Sequence, residues 1–232
     1  MKKFVLIASM AFISLSSFAT EPISPVLGGG SSDKSNAPGI INIGLGSEFV
    51  LGGATITPKN GGTAEDGLGA IANYYLRGQY GLSDMFSAGI SLKYGGAGYL
   101  TTSGSSTTAL VVKGITIGLE GKFYAVNHPK FNMYLAPGIG FNSSSLALLN
   151  GSTSGAELGT GTASGLTYSF IGGFNWYWVD FLGMSLDMGY YGNSLSGTLD
   201  NKVSTGTAAT DLTVSGGGFY FGIGLISKFG GK

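Results

Sequence analysis

Seven ionisable side chains share one register of strand-like segments whose opposite register is almost wholly apolar: Glu48, Arg77, Lys93, Glu120, Lys122, Asp187 and Lys228. Acids and bases that share one register can pair and zip a closed interior shut, or line a narrow polar path whose gating depends on pairs breaking. Four bases and three acids in a single register fit the first use, mutual neutralisation inside a closed body. Burying them still costs desolvation, so pairing offsets that cost rather than adding net stability.

Other chemistry is sparse. His128 is the single histidine and sits beside Pro129 in a short connection, with no convergent partner for general-base work. Glu65, Asp66, Glu157, Asp200 and Asp211 are scattered among hydroxyl-rich stretches. Glu65-Asp66 lacks the oxygen spacing of a calcium loop. The GGGSS run at 28–32 is not followed by Gly-Lys-Ser/Thr, so it is not a phosphate loop. The chain has no cysteine, which excludes disulfides, thiolate metal sites and a cysteine nucleophile. No cofactor, metal or catalytic group is expected.

The elements that carry the seven charges have a period of two. From Gly39 onward, eight segments set Leu, Ile, Phe, Tyr and Trp on one side against Gly, Ser, Asn and Thr on the other. In the first, Ile41, Ile43, Leu45, Phe49 and Leu51 alternate with Asn42, Gly44, Gly46 and Glu48; in the last, Phe219, Phe221, Ile223, Leu225 and Phe229 alternate with Gly218, Gly222, Gly224 and Lys228. Ile71 and Ile226 fall in the polar register, and Lys113 in the apolar one. Short connections lie near Leu82–Asp84, Val126–Lys130 and Val179–Phe181. Long Gly/Ser/Thr-rich ones are expected over 52–66, 98–107, 143–164 and 196–210. Short turns at one rim and long loops at the other are the rhythm of an up-and-down barrel.

Composition indicates which face meets which solvent. Charged residues are only 10% of 232, against about 25% in average soluble proteins, and mean hydropathy is +0.28. Net charge is zero, so no nucleic-acid partner is indicated. No apolar run after the N-terminus is long enough for a spanning helix. The polar register is too small and glycine-rich for a water-facing exterior, yet suits the narrow lumen of eight strands. Aromatic residues crowd the short-turn rim in the apolar register: Tyr80, Phe86, Phe123, Phe131, Trp176, Trp178 and Phe229. That is where an interfacial girdle belongs. The fold expected is all-β, an eight-stranded antiparallel up-and-down transmembrane β-barrel with lipid outside.

Residues 1–19 read as a signal peptide, with Lys2 and Lys3 ahead of an apolar core and cleavage after Ala19. Residues 20–38 read as a flexible periplasmic tail, and 39–232 as the barrel domain. The stretches RGQYGLSDMFSAGISLKYG, FYAVNHPKFNMYLAPGIGF and WYWVDFLGMSLDMGYYG resemble strand–turn–strand units of the small Gram-negative outer-membrane barrels, the OmpA/OmpX/OmpW type. The resemblance implies outer-membrane localisation, a lumenal acid–base network at the seven positions, outer-membrane lipid as surroundings, and the outer-membrane assembly machinery as partner during insertion. Phe229 and Gly224 fit the C-terminal insertion pattern, while Ser227 and the extension Gly230-Gly231-Lys232 depart from it.

The leading expectation is a non-enzymatic barrel with an envelope-structural role, whose surface loops meet a ligand of unknown identity. The alternatives are a narrow porin-like channel for small or hydrophobic solutes, and a secreted soluble barrel of lipocalin type.

Overall fold

The computed structural model describes residues 34–59, 61–103, 106–150, 157–201 and 209–230. The signal segment and the tail as far as residue 33 lie outside the described residues. Eight strands follow in order: β1 (Ile41–Pro58), β2 (Glu65–Ser83), β3 (Phe86–Ser103), β4 (Ser106–His128), β5 (Phe131–Asn150), β6 (Glu157–Val179), β7 (Leu182–Asn201) and β8 (Ala209–Phe229). Each pairs antiparallel with its sequence neighbours. β1 also pairs with β8, from Ile41 opposite Phe229 to Pro58 opposite Leu212, and this closes the barrel. Closure removes the unpaired edges that hydrocarbon cannot solvate. No described helix is long and apolar enough to cross a membrane.

At one end the strands are joined by pairs of residues, Asp84-Met85, Pro129-Lys130 and Asp180-Phe181. The register slips just before each of them, between Gly81 and Ser83, Tyr124 and Val126, and Tyr177 and Val179. Such bulges bend the chain at a barrel rim, where the strand must reverse.

The other end departs from the sequence expectation. Most of the residues assigned to long loops are strand, and the strands run 18 to 23 residues. A tilted strand needs only about 9–11 residues to cross hydrocarbon. The excess forms a collar beyond the apolar band. On β6, β7, β8 and β1 the alternation persists there with its sense reversed. On β7, Tyr190 points outward while Leu195 and Leu199 are buried inward and Ser194 and Ser196 are exposed. With polar residues outward and apolar ones inward, these stretches carry no apolar-outward pattern.

The last residues assigned to the tail also differ. Ser35 and Asn36 are fully buried across the short-turn end. The Asn127 side chain holds this segment. Its Oδ1 accepts from the amides of Ser35 (3.1 Å) and Asn36 (3.0 Å), and its Nδ2 donates to the carbonyls of Asn36 and Asp84, both at 2.6 Å. Asn36 Nδ2 donates to the Ser83 carbonyl at 2.7 Å, and Asn132 Nδ2 to Ser35 Oγ at 2.7 Å. Gly39, at φ 83°, makes the left-handed step that leads the chain into β1. Residues 34–38 are therefore a structured cap. Exposed polar composition concealed this, because their partners lie 47 to 97 residues away.

Candidate functional site

Leu45, Ile90, Ile117 and Leu225 are 61%, 64%, 65% and 52% exposed, whereas Glu48 is 0% and Arg77 4% exposed. The apolar register faces outward and the charged register inward. On β8 the outward band runs from Phe219 to Phe229, interrupted by Ser227, and is long enough to cross hydrocarbon. Tyr80, Phe86, Phe123, Trp176 and Trp178 are exposed on the outer wall near the short turns; Phe131 and Phe229 are half-buried there, and Phe131 packs on Phe174 with ring centroids 5.9 Å apart.

Six of the seven charges form one cluster in the lumen, centred on Arg77. Its Nη1 donates to Asp187 Oδ2 at 2.5 Å, and its Nη2 reaches Glu48 Oε2 at 3.4 Å and the Tyr220 hydroxyl at 2.6 Å. Its Nε faces Glu120 Oε1 at 3.4 Å in ion contact without hydrogen-bond alignment. The guanidinium carbon lies 4.0 Å from the centroid of the Tyr75 ring. Lys93 Nζ pairs with Glu48 Oε2 at 3.0 Å, and Lys122 Nζ sits 4.0 Å over the Tyr134 ring. Tyr134 donates its hydroxyl to Asp187 Oδ1, and Asn73 Nδ2 donates to Glu48 Oε1 at 2.9 Å. Three acids and three bases leave the cluster neutral, which is how charges survive in a space of low dielectric. Lys228 stands apart toward the short turns, with Nζ 5.3 Å from the Tyr177 ring centroid and 3.5 Å from the Lys34 carbonyl.

The sequence reading singles out the aromatic residues of the rim girdle and passes over the lumenal tyrosines. Seven are buried: Tyr75, Tyr99, Tyr124, Tyr134, Tyr177, Tyr191 and Tyr220. Their register was the available signal, since each falls on the inward parity of its strand. A buried tyrosine needs a partner for its hydroxyl, and the polar lumen supplies one. Tyr177 donates to Asn42 Oδ1 at 3.0 Å, Tyr75 meets Ser185 Oγ at 3.2 Å, and Tyr220 donates to Glu48 Oε2 at 3.0 Å. Glycine makes room for the rings: a Cβ on Gly46 would come within 2.6 Å of the Tyr75 hydroxyl.

Above the charged cluster the lumen turns apolar. Val50, Ile71, Tyr99, Leu110, Val112, Leu146, Leu195, Leu212 and Val214 are buried together across the collar. Below it, Asn132, Asn175 and Asn42 lead to the 34–38 cap, with Asn175 Nδ2 donating to Asn132 Oδ1 at 2.9 Å. A void of about 10 Å³ beside Lys93 and Glu120 is too small for more than a single water. His128 is exposed at the end of β4, beside the turn, and its Nδ1 lies 3.5 Å from the Lys130 amide.

Sequence, closure and polarity together define an integral membrane β-barrel with lipid-facing walls. Its fold is that of the small outer-membrane barrel proteins of Gram-negative bacteria. The outer membrane protein OprG from Pseudomonas aeruginosa aligns over 84% of this chain and 98% of its own, at 12% identity and a TM-score of 0.51. Neisserial surface protein A aligns over 82% and 99% at 13% identity and a TM-score of 0.40, and the outer membrane protease OmpT from Escherichia coli over 83% and 97% at 12% and 0.43. At 12% identity the likeness to OprG is one of fold. No family model and no curated protein sequence matches the chain.

Proposed function

We propose that this chain is a sealed, non-enzymatic barrel of the bacterial outer membrane, which stabilises the envelope and presents its collar for contact at the cell surface. The observation that supports this reading is the apolar layer across the upper lumen, from Leu110 and Leu146 to Leu195 and Val214. Water and ions entering from that side meet hydrocarbon before they reach the charged cluster, and such constrictions close by dewetting. The 34–38 cap lies across the other end. The lumenal charges are then a structural zip rather than a conduction path. On β6, β7, β8 and β1 the collar shows Thr162, Ser164, Ser194, Ser196, Ser215 and Thr57 to water, a hydroxyl-rich surface held on paired strands.

Planar-bilayer recording of the purified full chain tests the reading. The expected trace stays at the level of lipid alone. A reproducible unit conductance that changes with Lys93→Ala or Glu120→Ala would sink it in favour of the narrow channel.

A further inference from the structure

Where the apolar band ends, the outer wall carries a groove of about 370 Å³ between the upper parts of β1, β2, β6, β7 and β8. Ligand clefts occupy about 300–1,000 Å³, so this is room for a small ring system. Glycine makes the groove: Gly53 and Gly217 pair on the outward parity of β1 and β8 and line it, while Gly192, beside Gly217 on β7, lies beneath the Tyr168 ring. Tyr168 and Tyr190 form one wall, with centroids 6.3 Å apart and planes 30° from parallel. The rings lean over the glycines: a Cβ on Gly192 would run into Tyr168, and one on Gly217 into Tyr190. The facing wall is polar, with Thr55, Asp66 and Ser215. Thr55 Oγ1 donates to Asp66 Oδ1 at 2.6 Å, which fixes the carboxylate and leaves Oδ2 as an acceptor for a ligand hydroxyl.

We propose that this groove binds the sugar headgroup of a neutral glycolipid, with the ring against Tyr168 and Tyr190 and its hydroxyls toward Asp66, Thr55 and Ser215. A pyranose has an apolar C–H face and a hydroxyl rim, which the two walls match. An acyl chain alone would leave the Asp66 carboxylate against hydrocarbon. A phosphate would meet Asp66 with no basic side chain among the described lining residues. The lower edge of the groove is continuous with the lipid-facing band, where Leu51 and Phe219 are exposed below Gly53 and Gly217. The lipid tails therefore run down the wall while the sugar sits in the groove. This continuity selects a membrane-anchored sugar over a free one. The site lies outside the sealed lumen, so the conductance result does not bear on it.

Native mass spectrometry of the full chain, released from micelles containing equal fractions of monoglucosyl diacylglycerol and phosphatidylcholine with matched acyl chains, reads the preference directly. The glucosyl lipid should be retained about tenfold over phosphatidylcholine. Tyr168→Ala and Asp66→Asn should each lower its retention about five- to tenfold. Thr55→Val is the milder second probe, and Tyr80→Ala at the opposite rim should change nothing. Boiling-dependent gel mobility verifies that each variant is folded. Equal retention of the two lipids, or a glucosyl preference that survives both substitutions, overturns the proposal. Complete displacement of the glucosyl lipid by excess maltose overturns it too, since the tails would then contribute nothing.

Discussion

At the scale of single residues, Arg77 connects the lumen. It touches Asp187, Glu48, Glu120, Tyr220 and Tyr75, and no other side chain of the cluster faces all three acids. The planar fork of the guanidinium can meet several oxygens at once, which a lysine ammonium cannot do in the same geometry. Replacing Arg77 with Met would leave three buried carboxylates facing two lysines. The expected cost is about 3–5 kcal/mol, because the penalty falls on the uncompensated charges left behind. Equilibrium unfolding by urea from lipid vesicles, followed by tryptophan fluorescence, measures it. Lys228→Met should cost much less, since Lys228 stands apart from the cluster. Equal losses for the two variants would contradict this division. The seven charged positions were legible in the sequence by parity alone. Their pairing was not, because Arg77 and Asp187 are 110 residues apart and meet only across the closed lumen.

At the scale of the strand, the informative feature is the reversal of polarity along one continuous element. β7 carries Met188 outward into the apolar band and Ser196 outward into the collar, on the same face and eight residues apart. Met188→Arg places a charge against hydrocarbon, at an expected cost of about 2–4 kcal/mol. Ser196→Arg places the same charge in water and should change stability by no more than about 0.5 kcal/mol. The same vesicle unfolding assay compares them, and equal costs would mean that the collar is not above the membrane. The short-turn elements were legible, because the alternation holds up to the bulge that precedes each turn. The collar was not. Its strands were read as loops because Ser, Thr and Gly at the outward positions look like loop composition when lipid is taken as the solvent throughout.

At the scale of the whole molecule, a solvent gradient organises the barrel. The outer wall passes from an aromatic rim through a hydrocarbon band to a hydroxyl-rich collar on β6, β7, β8 and β1. The lumen passes from an asparagine-lined cap through a neutral ion cluster to an apolar seal. On β6, β7, β8 and β1 the two sequences run in opposite senses, polar on one side of the wall where the other is apolar, with Ile171 and Ile226 as inward apolar exceptions. Two tryptophans, Trp176 and Trp178, are exposed at the short-turn rim and report on this arrangement. In vesicles, lipids brominated near the headgroup should quench their fluorescence more strongly than lipids brominated deep in the chain. Quenching by aqueous iodide that exceeds both would place these rings in water and remove the girdle.

What the sequence determined by itself was local: eight alternating segments, three tight connections, the inward parity of seven charges and the outward parity of seven rim aromatics. Alternation is a property of one strand, set by the direction of successive Cβ atoms, and needs no knowledge of the neighbours. The tertiary structure decided what depends on closure. That includes the meeting of acids and bases from distant strands, the seal in the upper lumen, the docking of residues 34–38, and the glycine floor of the outer groove. Each is a contact between segments whose relative heights are fixed only when β1 joins β8, and no local pattern carries that register.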